Sequence, residues 1–89
     1  MKAIVTVIGK DRVGIIADVC ALLAARGVNI LDISQTVLDE YFTMIMLVDT
    51  TGCDRPFAAL SQELGAAGAE LRLDIRAQRE DIFNAMHRI

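Results

Sequence analysis

At 89 residues the chain has room for one domain and one core that buries only about 60 to 65% of the unfolded surface. It is 54% hydrophobic yet only 4% aromatic, an aliphatic excess that points to an oligomer interface. Nine Lys and Arg against twelve Asp and Glu give a net charge of −3, and the basic residues are scattered from Lys2 to Arg88. This argues against nucleic acid as a partner.

The opening "MKAIVTVIGKDR" reads as a first strand, because a charged loop stands where a leader peptide would carry its small-residue cleavage site. Its core, "KAIVTVI" (2–8), is β-branched on both faces, the pattern of an interior strand covered on two sides. From Val13 to Arg26 the apolar positions Ile16, Val19, Cys20 and Leu23 keep helical spacing, with Ile15 and Leu22 on a neighbouring face. Gly27 ends this helix at the position where a left-handed backbone is cheapest. Within it lies the longest apolar run, Val19 to Ala25, far short of the roughly 20 residues of a membrane span. No membrane association is expected.

Residues 28–38 and 41–49 form two strands joined by the tight turn Asp39-Glu40, an antiparallel hairpin. The second is apolar on both faces and belongs in the interior. The first carries Asp32, Ser34, Gln35 and Thr36, the load of an edge strand. A second helix follows, capped by Asp54, with Pro56 in its first turn, Phe57, Leu60 and Leu64 on its buried side, and Gly65 and Gly68 closing it. "AELRLDIRA" (69–77) then alternates, with Leu71, Leu73 and Ile75 inward and Glu70, Arg72, Asp74 and Arg76 outward. A short amphipathic helix over about 80–88 aligns Ile82, Phe83 and Met86, with Ile89 just beyond.

The order β-α-β-β-α-β, with two right-handed crossovers, makes the fold α+β: a ferredoxin-like βαββαβ sandwich in one domain spanning 1–89. Its four-stranded antiparallel sheet has the order 4-1-3-2, with both helices on one face and the short C-terminal helix appended. The strands that hydrophobicity makes interior, the first and third, are the ones that topology places in the middle.

Many functions share this architecture, so function is argued from residues. RNA recognition needs exposed aromatics on the two central strands beside a basic surface, and the first strand has none. Metal chaperoning needs paired cysteines in the first loop, where Gly9-Lys10-Asp11-Arg12-Val13-Gly14 stands. The G-x-x-x-x-G spacing of Gly9 and Gly14 mimics a phosphate loop, but Ile15-Ile16 replaces the Lys-Ser/Thr that would reach phosphate and magnesium. His87 lies in the last helix, and neither Ser34, Ser61, Cys20 nor Cys53 has an activating partner in view. No enzyme, no metal site and no cofactor are expected. Two cysteines without paired spacing suit a reducing compartment, the cytoplasm.

What remains is the loop itself, a strand-to-helix corner that gathers backbone N–H groups and the positive end of a helix dipole. Asp11 there is either the helix cap or a partner for an ammonium group, and Lys10 and Arg12 either face solvent or hold a carboxylate. Gly14, lacking a side chain, lets a ligand or a neighbouring subunit come close to the first helical turn.

The stretch "GKDRVGIIADVCALLAARGVNILDISQ" (9–35) resembles the ACT domain family in its Gly-x-Asp-Arg loop, Ala/Leu-rich helix and Gly-x-Asn-Ile entry to the second strand. Val13 stands where that pattern usually has proline. The likeness covers nearly the whole chain and is similar to a stand-alone, single-domain bacterial subgroup, related in type to the sensory domains of the glycine-cleavage repressor. It implies a regulatory module that binds an amino acid or similar small metabolite between two domains. It nominates Gly9, Lys10, Asp11, Arg12, Val13 and Gly14, with Asn29 and Ile30 from the second strand, as ligand-binding residues. Asn29 is also a common turn residue after a helix-ending glycine. The resemblance implies a homodimer, which the polar edge strand could form by pairing with its symmetry mate, and a further regulated protein as a partner. The alternative is a ligand-free dimerisation or protein-interaction module whose loop is only a helix cap.

Overall fold

The computed structural model describes residues 1–81. The elements β1 (Lys2–Lys10), α1 (Ile15–Ala25), β2 (Asn29–Leu38), β3 (Tyr41–Asp49), α2 (Phe57–Glu70) and β4 (Asp74–Arg79) follow in the expected order. All strand pairs are antiparallel, in the order β2-β3-β1-β4, which is 4-1-3-2 read from the other edge. The C-terminal helix expected over about 80–88 lies, beyond its first two positions, outside the described residues.

Strand alternation puts Ala3, Val5 and Val7 of β1, Phe42, Met44, Met46 and Val48 of β3, and Ile75 of β4 on one face, all buried. Ile15, Val19 and Leu23 of α1 and Leu60 and Leu64 of α2 close over them in one core. Both crossovers run on the same side because a right-twisted strand feeding a right-handed helix packs back in one sense only. Among the described residues no helix packs on the other face. Ile4 and Thr6 are half-buried there, and Ile8 and Ile45 are exposed. The expectation that the two inner strands are covered on both sides is therefore corrected for the described residues: they are central in the sheet, but among those residues only one face is covered by helices.

Other local readings change as well. Asp11 does not cap α1: the N-cap is Gly14, at φ 91°, with no side-chain cap bond. Because the helix starts at Ile15, its buried row is Ile15, Val19 and Leu23, whereas Ile16 is exposed and Cys20 half-buried. Nor does Asp54 cap α2, which begins after Pro56 without a side-chain cap. Gly65 and Gly68 do not end it. The helix runs through them to Glu70, and Gly68 is the point where β4 crosses: a Cβ there would lie 2.7 Å from Ile75 Cγ1. Consequently β4 starts at Asp74, not at Ala69, and Arg72 sits in the connecting turn at φ 60°. Gly27 behaves as expected, left-handed at φ 74° just past the end of α1. Asp39, at φ 56°, makes the hairpin turn.

Candidate functional site

The β1–α1 loop begins where β1 leaves the sheet. Gly9 pairs with Phe42 and Lys10 with Tyr41, and the Asp11 amide donates to the Glu40 carbonyl at 2.8 Å, which ties the loop to the β2–β3 turn. Gly9 has a packing role: a Cβ would lie 2.5 Å from Leu73 Cδ2, so its absence lets the α2–β4 turn close over the end of β1. Arg12 donates to Asp18 Oδ2 at 3.2 Å and to the Leu71 carbonyl at 3.4 Å, bracing the loop against the first turn of α1 and the end of α2. Val13 is 99% exposed at the tip. The Gly14 carbonyl accepts from the Asp18 amide at 2.9 Å, opening the ladder of α1.

One side of this loop faces the hairpin across a cavity of about 270 Å³. Asp11, Arg12 and Gly14 line it from the loop, Ile15, Ile16 and Ala17 from the start of α1, and Gln35, Val37 and Phe42 from the hairpin. Its chemistry is that of an amphiphile's site. Ile15, Ile16, Val37 and Phe42 give apolar walls, Gln35 gives an amide that both donates and accepts, and Asp11 and Arg12 supply opposite charges at the rim. The Asp11 carboxylate has no hydrogen-bond partner among the described residues, so it is open to a cation.

The other nominated residues fall elsewhere. Asn29 and Ile30 start β2 opposite Asp49 and Val48, and Asp49 pairs with Lys2, at the far end of β1 from the loop. Eight residues of strand separate the two ends, roughly 27 Å. Within one protomer the structure does not bring Asn29 and Ile30 to the loop. Lys10 turns instead to a different cavity, of about 420 Å³, which it lines with Arg12, Leu71 and Arg72.

Sequence reasoning missed Gln35, Val37 and Phe42 as lining residues. The signal was present in the hairpin: with a turn at Asp39-Glu40, antiparallel register sets Gln35 against Met44 and Val37 against Phe42, level with the end of β1. Among the described residues no cluster of three or more His, Cys, Asp or Glu could hold a metal ion, and no helix is long and apolar enough to cross a membrane.

Comparison with known proteins gives the same architecture. Residues 2–78 match the sequence profile of the ACT domain. A UPF0237 protein of Bifidobacterium longum is 52% identical over 88 residues, covering 99% of this chain and 98% of its own. The solved ACT domain protein from Streptococcus pneumoniae superposes with a TM-score of 0.84 at 49% identity, covering 98% of both chains. The ligand-free regulatory subunit of aspartate kinase from Thermus thermophilus superposes at 0.64 with 26% identity, over 86% of this chain and 50% of that one. The chain belongs to the ACT domain family of regulatory, small-ligand-binding modules.

Proposed function

We propose that the protein is a homodimeric, cytoplasmic sensor of an amino acid, bound in the cavity between the β1–α1 loop and the β2–β3 hairpin. The observation that carries the reading is the Asp11 carboxylate, unpartnered among the described residues, at a cavity that sets Arg12 and Gln35 beside apolar walls. An α-ammonium would pair with Asp11, an α-carboxylate would take Arg12 and the free amides of the first turn of α1, and an aliphatic side chain would lie against Ile15, Val37 and Phe42. The likeness to a kinase's regulatory subunit supports a role in which the bound state is passed to another protein.

Dimerisation through β2 supports the same reading. In an antiparallel twofold pairing of β2 (29–38) with its mate, the first residues of one strand meet the last residues of the other. Asn29 and Ile30 of a second copy would then stand beside Val37 and Leu38, at the open side of the cavity. Such a pairing would bridge the separation of roughly 27 Å inside one chain, bringing the nominated residues together across the interface.

A thermal-shift series with the free amino acids tests the reading. A ligand at 100 times its dissociation constant adds about 2.7 kcal/mol, which for a chain of this size raises the melting temperature by on the order of 10 °C or more. Asp11→Asn and Asn29→Ala should each abolish most of that shift while leaving the dimer intact. Silence across all amino acids would overturn the sensor reading in favour of a ligand-free dimerisation module.

A further inference from the structure

We propose that Lys10, Arg12 and Arg72 form a second binding site, for the phosphate group of a small phosphorylated metabolite, on the side of the β1–α1 loop turned toward α2 and β4. The cavity there, about 420 Å³, is lined by these three cations and Leu71, and among the described residues by no carboxylate. In a chain with nine basic residues and a net charge of −3, three cations around one concavity run against the overall charge. Asp18 balances Arg12 from outside the concavity, which leaves two cations for an incoming anion.

The partners of the three side chains sharpen the case. Arg12 is partly committed to Asp18 and the Leu71 carbonyl. The Lys10 ammonium and the Arg72 guanidinium have no hydrogen bond or ion pair among the described residues. Arg72 also holds a left-handed backbone, φ 60°, a conformation where glycine or asparagine is the ordinary choice. A cation after the end of α2 is favoured by the helix dipole, which accounts for a basic residue near this position. It accounts neither for a left-handed arginine nor for Lys10, which arrives from a different element.

The same features choose between anions. A zwitterionic amino acid would leave its ammonium facing three cations with no carboxylate to receive it. A phosphate monoester carries close to two negative charges at pH 7 and several acceptor oxygens, which suits one ammonium and the forked guanidinium donors. The site opens on the other side of the loop from the amino-acid cavity and shares Arg12 with it, while Lys10 and Arg72 line this site alone.

The test is an amide NMR titration of the full chain with inorganic phosphate and then pyrophosphate, with sodium chloride adjusted to hold ionic strength constant. Saturable shifts are expected at Lys10–Arg12 and Leu71–Leu73, and Arg72→Gly should remove them. That variant should fold at least as well as the parent, because glycine adopts φ near 60° freely. Lys10→Gln should weaken phosphate binding about tenfold. The proposal is overturned if the shifts do not saturate, if succinate gives an equal response, or if Arg72→Gly keeps the parent's phosphate affinity. The amino-acid response of Arg72→Gly should equal the parent's, which separates failure of this site from failure of the sensor reading.

Discussion

The sheet has two edges, and the protein treats them differently. At β4 the apolar side chains are covered: the strand is six residues long, its Ile75 and the preceding Leu73 are buried, and Gly68 lets α2 lie directly on them. Its outward residues are charged and locally paired, Asp74 with Arg76 and Arg79 with Asp81. At β2 nothing of the kind occurs. The strand is ten residues long, none of its side chains is fully buried, and Leu31, Ile33, Val37 and Leu38 are all exposed. A long apolar edge is a template for pairing with another chain. The contrast teaches that the apolar residues around β4 are spent inside the protomer, whereas those of β2 stay exposed, and that the cavity between the β1–α1 loop and the hairpin lies on the exposed side.

The largest effect should come from breaking the packing around β4. Gly68→Leu places a Cβ 2.7 Å from Ile75 Cγ1 and 3.0 Å from the Leu73 carbonyl, and backbone at that distance cannot yield. A loss of about 2 to 3 kcal/mol is expected, read as a fall in the urea midpoint. A midpoint within error of the parent would mean that the seam between α2 and β4 is looser than its geometry.

Next comes the exposed β2. Ile33 lies near the middle of β2, so in the twofold pairing Ile33→Asp would set a carboxylate close to its own symmetry mate. The dimer dissociation constant should rise at least tenfold, about 1.4 kcal/mol, by light scattering across a dilution series. The protomer's circular dichroism should be preserved. A dimer that survives unchanged would move the interface away from β2.

Gly65 provides the counterpart to Gly68. The nearest atom to its Cβ position, the Ile75 carbonyl oxygen, is 3.9 Å away, so Gly65→Ala meets no crowding. It should stabilise the protein by about 0.5 to 1 kcal/mol through helix propensity alone. Destabilisation there would show that the whole α2 surface, not one crossing point, is matched to β4.

The smallest effect lies at the end of the sheet where Asp49 faces Asn29. The Thr51 hydroxyl donates to Asp49 at 2.6 Å and the Thr51 amide at 3.0 Å, and these bonds hold the carboxyl below its ordinary value of 3.8. A depressed folded-state value contributes stability above the unfolded value and loses it as pH falls through the folded one. Thr51→Ala should therefore raise the Asp49 pKa in an NMR titration. It should destabilise slightly at pH 7 and converge with the parent once the pH has fallen below the folded-state pKa of Asp49. A difference that persists in acid would point to lost packing instead.

Much of the fold was legible in the chain. Short runs apolar on both faces located β1 and β3, Asp39-Glu40 located the hairpin, Gly27 ended α1, and the polar load on β2 marked an edge. The misread positions share a cause. Gly68 looks like a helix terminator until β4 is laid across it. Leu71 and Leu73 fit a strand's alternation as well as a helix end and turn, and Asp11 fits a cap that Gly14's left-handed backbone makes unnecessary.

The site was half legible for the same reason. Adjacent residues show which groups the loop contains, Gly9 to Gly14, and the family resemblance attaches a purpose to them. Only the folded sheet separates the loop's two sides, sending Asp11 toward Gln35, Val37 and Phe42 and Lys10 toward Arg72, and leaves Asn29 at the opposite end. The sequence by itself determined the order and type of the elements, because hydrophobic period and turn chemistry act over a few residues. Which of those elements has its apolar side chains covered and which leaves them exposed was decided by tertiary packing, where residues tens of positions apart compete for the same space.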